Sequence, residues 1–176
     1  VTKIVQDLKD FSRVGRDQQM QPADLLQGLD STLNIVWNDL KYKIRLEKHY
    51  GSLPPVECLA SEINQVFLNL LLNAGQAIEQ RGTIELASGC DEQEAWISIT
   101  DSGCGIPPEA LPHLFDPFFT TKPIGRGTGL GLAISYGIIA KHHGRIDVSS
   151  RVGQGSTFRV VLPIRQPRAG TPAPAA

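Results

Sequence analysis

The chain has 176 residues, 41% of them hydrophobic, and a formal net charge of −1. That length suits one domain with a small appendage, and that apolar content fills an ordinary core. The near-neutral charge argues against a general nucleic-acid surface, and no apolar run is long enough to span a bilayer. The cysteines, Cys58, Cys90 and Cys104, are odd in number and form no C-x-x-C pair. They argue against a disulfide framework or a zinc site built on them and for a reducing, cytoplasmic setting, with all three predicted as small buried fillers. The chain opens at Val1 with no signal peptide and reads as a piece of a longer protein, one with room for a membrane anchor upstream.

The first element is an amphipathic helix with Val1, Ile4, Val5, Leu8 and Phe11 on one stripe, read as the end of a longer helix that packs on a partner. The pattern breaks in "RDQQMQP", which ends at Pro22. A second helix follows, with Leu25, Leu26, Leu29, Leu33, Val36 and Trp37 on its apolar face. "KIRLEKHY" alternates like a half-buried strand, and "SLPP" is a turn. A third helix is predicted from Ser61, whose hydroxyl suits an N-cap, to about Gln80. "RGTIELAS" and "EAWISITD" form a hairpin. The stretch 101–129 is rich in Gly and Pro, and loops of that length in compact domains are functional or mobile. A fourth helix covers 130–142, closed by Gly144 as a C-cap. "RIDVSS" and "STFRVVLPI" pair around "RVGQG", and the Pro/Ala-rich tail, 166–176, is disordered.

Several stretches carry chemistry. Asn69 and Asn73 are four apart, so both project from the polar side of the third helix, opposite Ile63, Phe67, Leu70, Leu71 and Ala74. Two amides there either bond neighbouring backbone or offer oxygens to a hydrated cation such as magnesium. Asp101 ends a strand and is followed by Gly103 and Gly105. This is a plain turn, or a carboxylate able to accept from an exocyclic amine, beside backbone bare enough for a flat ring. In "FDPFFTTK" the phenylalanines anchor the long loop, and Lys122 is either solvated or reaches a phosphate. "GRGTGLGLAIS" places Gly125, Gly127, Gly129 and Gly131 at alternate positions before a helix. It fits neither the Walker A nor the dinucleotide fingerprint, yet it leaves backbone N–H groups free to approach an anion at a helix N-terminus.

Taken in order, "NLLLNA", "DSGCG", "FDPFF", "GRGTGLGLA" and "GQGST" resemble the N box, first glycine box, F box, and second and third glycine boxes of the catalytic ATP-binding domain of sensor histidine kinases. That domain belongs to the Bergerat-fold (GHKL) family shared with gyrase, the MutL repair proteins and a heat-shock chaperone. The resemblance covers about 22–164, and "AGQAI" and "FFTTK" lean toward the nitrogen-regulation class. It implies a two-layer α/β sandwich: one mixed sheet with three main helices on one face. It divides the chain into the end of a dimerisation and phosphotransfer hairpin with its linker (1–20), the catalytic domain (21–165) and the tail (166–176).

The resemblance also implies ATP and Mg2+ as cofactors. Asn73 becomes the magnesium ligand, with Asn69 on the phosphate side near it, and Asn69 and Lys122 form the catalytic pair. Asp101 reads adenine, Gly103, Gly105 and Thr157 complete the base pocket, and Ile106 joins the cofactor-binding set. Gly127, Thr128, Gly129, Leu130, Gly131 and Leu132 form the end of a lid and a helix start that contact the phosphates. The implied partners are the phosphoacceptor histidine hairpin of the same protein, homodimeric at full length, and a response-regulator receiver domain. One departure matters: His49, His113, His142 and His143 are followed by Tyr, Leu, His and Gly, and none fits the acceptor histidine, so the acceptor lies outside this chain. Two rivals remain, a nucleotide-binding module without catalysis and an ATP-driven clamp. Such clamps usually carry Glu where Asn69 stands, and Asn cannot act as a base.

Overall fold

Seven strands and three α-helices form over residues 19–121 and 127–167, the part of the chain that the computed structural model describes. The helix expected at the start, Lys122 and 168–176 lie outside the described residues. Helix α1, Leu25–Leu40, begins at Asp24, whose side chain accepts from the Leu26 and Gln27 N–H groups at 2.9 and 3.1 Å. A short acidic side chain at that position satisfies donors that the first turn leaves unpaired. Leu25, Leu29, Leu33, Val36 and Leu40 make its buried stripe.

Helix α2, Ala60–Ala77, buries Ile63, Val66, Phe67, Leu70, Leu71 and Ala74. Ser61 lies inside the helix rather than capping it; the cap position is Leu59, and no side chain bonds there in the usual way. Instead the Leu59 N–H donates to Nε2 of the distant His142 at 3.0 Å. The other end stops at Ala77, short of Gln80, where Lys43 Nζ donates to the Gly75 and Ile78 carbonyls at 2.6 and 2.7 Å. Helix α3, Gly131–Lys141, closes through His143, which takes the left-handed conformation (φ 55°), while the Gly144 N–H donates to the Ile139 carbonyl. The reversal expected at Gly144 therefore falls one residue earlier.

The main sheet comprises β2 (Ile44–Tyr50), β4 (Gly82–Cys90), β5 (Glu94–Asp101), β6 (Arg145–Arg151) and β7 (Gly155–Pro163), in the order β2-β4-β5-β7-β6. The β2–β4 pair is parallel and the others antiparallel, so the sheet is mixed. Period-two alternation turns Ile84, Leu86, Ile97, Ile99, Phe158, Val160 and Leu162 into the core under the helices. The architecture is the α/β sandwich that the sequence implies.

Two short strands were not predicted. β1 (Gln21–Ala23) pairs antiparallel with β3 (Val56–Cys58) as a separate small sheet. Three residues give no readable alternation, and Pro22 argues locally against a strand except at an edge. Gln166, placed in the tail by composition, is fastened: its N–H donates to Glu57 Oε2, and its amide donates to the Glu57 and His142 carbonyls. Of the cysteines only Cys58 is buried, which pushes its thiol up to about 11; Cys90 and Cys104 are exposed.

Candidate nucleotide-binding site

Alternation along β5 puts Ala95, Ile97, Ile99 and Asp101 on the helix side, so the strand delivers a carboxylate to the end of the core. Asp101 is 4% exposed. Its Oδ1 accepts from the Gly103 N–H at 2.8 Å, and the carboxylate also accepts the Ser156 N–H. Burial raises its pKa, and these two backbone donors pull the other way. A carboxylate has about four lone-pair positions, so two N–H groups leave it able to accept from a further donor.

The loop after Asp101 is tied on two sides. The Cys104 N–H donates to the Ala77 carbonyl at 3.0 Å, which sets the loop against the last turn of α2, one turn past Asn73. The Gly153 N–H donates to the Cys104 carbonyl at 2.8 Å, and the Ile106 N–H to Ser150 Oγ at 2.8 Å, binding the loop to β6 and the turn after it. Gly105 sits at φ +72°, and a Cβ there would run into the Arg151 carbonyl. Its bareness thus serves the protein's own backbone as well as any flat ring. Ile106 is half-buried against the core.

Thr157 does not join Asp101. It pairs with Thr100 in the β5–β7 register, and the two hydroxyls meet at 2.9 Å on the opposite face of the sheet. Ser156 is the residue across from Asp101, buried, with its Oγ 2.9 Å from Ser150 Oγ. Counting back by twos from the core residue Phe158 reaches Ser156 and skips Thr157, so the signal was present in the sequence.

The phosphate side forms where α2 faces α3. Asn69 Nδ2 donates to the Gly131 carbonyl at 3.0 Å and to Ser135 Oγ at 3.2 Å, and Ser135 Oγ itself donates to Gly131 at 2.9 Å. Asn69 therefore locks the first turn of α3 to α2, a partner that the sequence did not reveal. Asn73 lies one turn further along α2, half-buried. The N-cap residue of α3, Leu130, has no capping side chain of its own, and its N–H donates to Thr128 Oγ1 at 3.4 Å. Gly131 and Leu132 open the helix, and Gly127 and Thr128 precede it, half-buried. Backbone N–H groups in such a first turn are suited to an anion.

Between the two sides the loop closes on itself. The Phe118 N–H donates to the Gly129 carbonyl at 2.9 Å, and both residues have positive φ, each 68°. Phe115 and Phe119 pack against the core, as anchors should; Phe118 is 69% exposed and does not. His142 is fully buried, holding the Leu59 N–H with one ring nitrogen and the Ile138 carbonyl, at 2.7 Å, with the other. Desolvation lowers its pKa.

The family model described as histidine kinase-, DNA gyrase B-, and HSP90-like ATPase matches residues 59–166. The signal transduction histidine-protein kinase AtoS of Escherichia coli (strain K12) is 41% identical over 168 residues, 93% of this chain and 27% of its own length. The chain thus spans about a quarter of that relative. A full-length structure of ShkA in complex with AMPPNP matches at a TM-score of 0.82 and 26% identity, over 95% of this chain and 36% of that one. The histidine kinase ThkA, in complex with the response regulator protein TrrA, matches at 0.77 and 27% identity, over 92% and 46%. Among the described residues no helix is long and apolar enough to cross a membrane. With the boxes in order, the carboxylate at the strand end and the helix start beside Asn69, the chain belongs to the histidine kinase-, DNA gyrase B- and HSP90-like ATPase family, as an ATP-binding domain of the sensor histidine kinase type.

Proposed function

We propose that this domain binds Mg-ATP and, in the intact dimeric protein, positions it for attack by a histidine of the preceding hairpin, from which a response regulator takes the phosphoryl group. The observation that carries the reading is the pairing of a buried Asp101 with the N-terminus of α3, the two bridged by α2. One end suits an adenine amine and the other suits phosphates. Asp101, Gly103, Gly105 and Ile106 form the base end, with Ser156 in the place the sequence assigned to Thr157. Gly127, Thr128, Gly129, Leu130, Gly131 and Leu132 form the phosphate end, and Lys122 joins them from outside the described residues.

The donors fit magnesium, a hard ion that takes one or two protein oxygens together with phosphates. Asn73 would hold it, with Asn69 beside it, and the bound ion would neutralise charge on the phosphates. The protein's own part is positioning and charge stabilisation, the main demands of phosphoryl transfer. The acceptor histidine nitrogen bonds to the γ-phosphorus as the bond to the β–γ bridging oxygen breaks, and ADP leaves. Asn69 supports transfer over water activation: its amide donates to α3 and offers no base.

The test uses labelled ATP, with this chain alone and then with the upstream hairpin added separately. The chain alone should bind ATP without labelling itself. The added hairpin should acquire acid-labile label slowly, because the tether that raises effective concentration is missing. Label on His49, His113, His142 or His143 would overturn the acceptor assignment, and hydrolysis without transfer would favour the clamp.

A further inference from the structure

We infer that Glu47, His49 and Glu85 form a binding site for a divalent transition-metal ion of the zinc class, on the face of the sheet away from the nucleotide. β2 and β4 run parallel with Glu47 beside Glu85 and His49 beside Ala87. Glu47 and His49 are two apart, so both leave the strand on one side. Lys48 between them points the other way, to Asp30 of α1 at 2.7 Å. One ligand atom from each of the three residues lies within 4.8 Å of the others. Bonds of about 2.0–2.2 Å to a tetrahedral ion place neighbouring ligand atoms roughly 3–4 Å apart, so small side-chain rotations close the set.

The two carboxylates carry an electrostatic cost that a cation would lift. Two carboxylates directly across a ladder repel each other. Arg45 offsets this in part, its Nε 3.1 Å from Glu47 Oε1, but its side chain is 79% exposed and such a pair is readily exchanged. A cation between the carboxylates removes the repulsion.

The donor set also selects the ion. One imidazole nitrogen with two carboxylate oxygens favours zinc and its neighbours over magnesium and calcium, which prefer oxygen alone. Three protein ligands leave a fourth position for solvent. His49 is 60% exposed in its side chain, so entry is open. The consequence is mechanical. Among the described residues β2 is an edge strand beside β4, and an ion shared by the two would staple that edge. Glu85 pairs with Thr100 and Ile84 with Asp101, so this cluster and the base end lie on opposite faces.

The test is calorimetry and thermal melting of the whole chain with Zn2+, without nucleotide. One ion should bind per chain and raise the melting temperature, and excess Mg2+ should not displace it. His49→Ala and Glu85→Gln should each weaken Zn2+ binding by at least about tenfold while leaving the circular dichroism spectrum and ATP binding unchanged. A Cys90→Ser, Cys104→Ser double variant should bind zinc as the parent does. Absence of saturable Zn2+ binding, or binding that survives both His49→Ala and Glu85→Gln, would overturn the site.

Discussion

At the base end, Asp101 is held between two paired strands, with backbone donors from Gly103 and Ser156 on its carboxylate. At the phosphate end, the Phe118 N–H donates to the Gly129 carbonyl just before the start of α3 at Leu130. The first is set by sheet register and cannot shift without breaking a ladder. The second joins two loop residues, Phe118 and Gly129, and belongs to no ladder. We propose that the base meets a wall fixed by strand register and that the wall around the phosphates moves.

The largest expected effect lies on the fixed wall. Asp101→Asn should cost ATP binding about 1.5–3 kcal/mol, the scale of a hydrogen bond to a charged group, or roughly 10- to 150-fold in Kd. It should also shrink the preference for ATP over GTP, measured by competition. An unchanged base preference would break the assignment even if affinity fell, because the carboxylate also holds Gly103 and Ser156.

On the moving wall the expected change is smaller and of a different kind. Gly129 has φ +68°, and a Cβ there would meet the Phe118 backbone. Gly129→Ala should cost loop closure about 1–2 kcal/mol, the left-handed penalty of an L-residue. ATP affinity should drop while the melting temperature barely moves. A large loss of melting temperature would mean that the loop base belongs to the cooperative core, and the contrast between the two ends would fail.

The parts legible in the sequence are those whose signal is local. The stripe of α2, the alternation of β4, β5 and β7, and the position of Asp101 at a strand end all follow from period and spacing. What stayed hidden depends on partners far along the chain. The donor of the α2 N-terminus is capped by His142, 83 residues away, so Ser61 looked like the cap because it was near. From its own helix Asn69 reads either as a bond to neighbouring backbone or as an oxygen for a cation, and only the packing of α3 shows its amide on Gly131 and Ser135. Thr157 was a failure of register, not of distance: the stretch reads as a strand, but the alternation that puts Ser156 and not Thr157 across from Asp101 was not applied to it. The β1–β3 sheet is too short for any period to show.

His142 tests the rear of the phosphate helix. Its ring accepts the Leu59 N–H, a role open only to the neutral form, and desolvation depresses its pKa below the usual 6.5. A base whose folded pKa is depressed contributes stability above the unfolded pKa, and that stability fades as pH falls through the folded value. Melting temperature should therefore decline as pH drops below about 6.5, and His142→Gln should flatten that decline. Base preference should not change with it. A pH slope identical in the variant would place the acid sensitivity elsewhere.

The smallest effect on the site is expected from His143, one residue further on. It is exposed and holds the left-handed conformation at φ 55° that ends α3. An L-residue pays about 1–2 kcal/mol for that conformation, and glycine gives back about 0.5–1 kcal/mol through its freer unfolded chain. His143→Gly should therefore stabilise the fold by about 0.5–1 kcal/mol, a rise of roughly 1–4 °C in melting temperature for a chain of this size. The residue sits at the C-terminal end of α3, and the phosphate end uses the opposite terminus. ATP affinity should stay level while stability rises. Affinity that climbs in step with the melting temperature would show that the packing of the whole helix, and not the Phe118–Gly129 closure, sets how tightly the phosphate end holds.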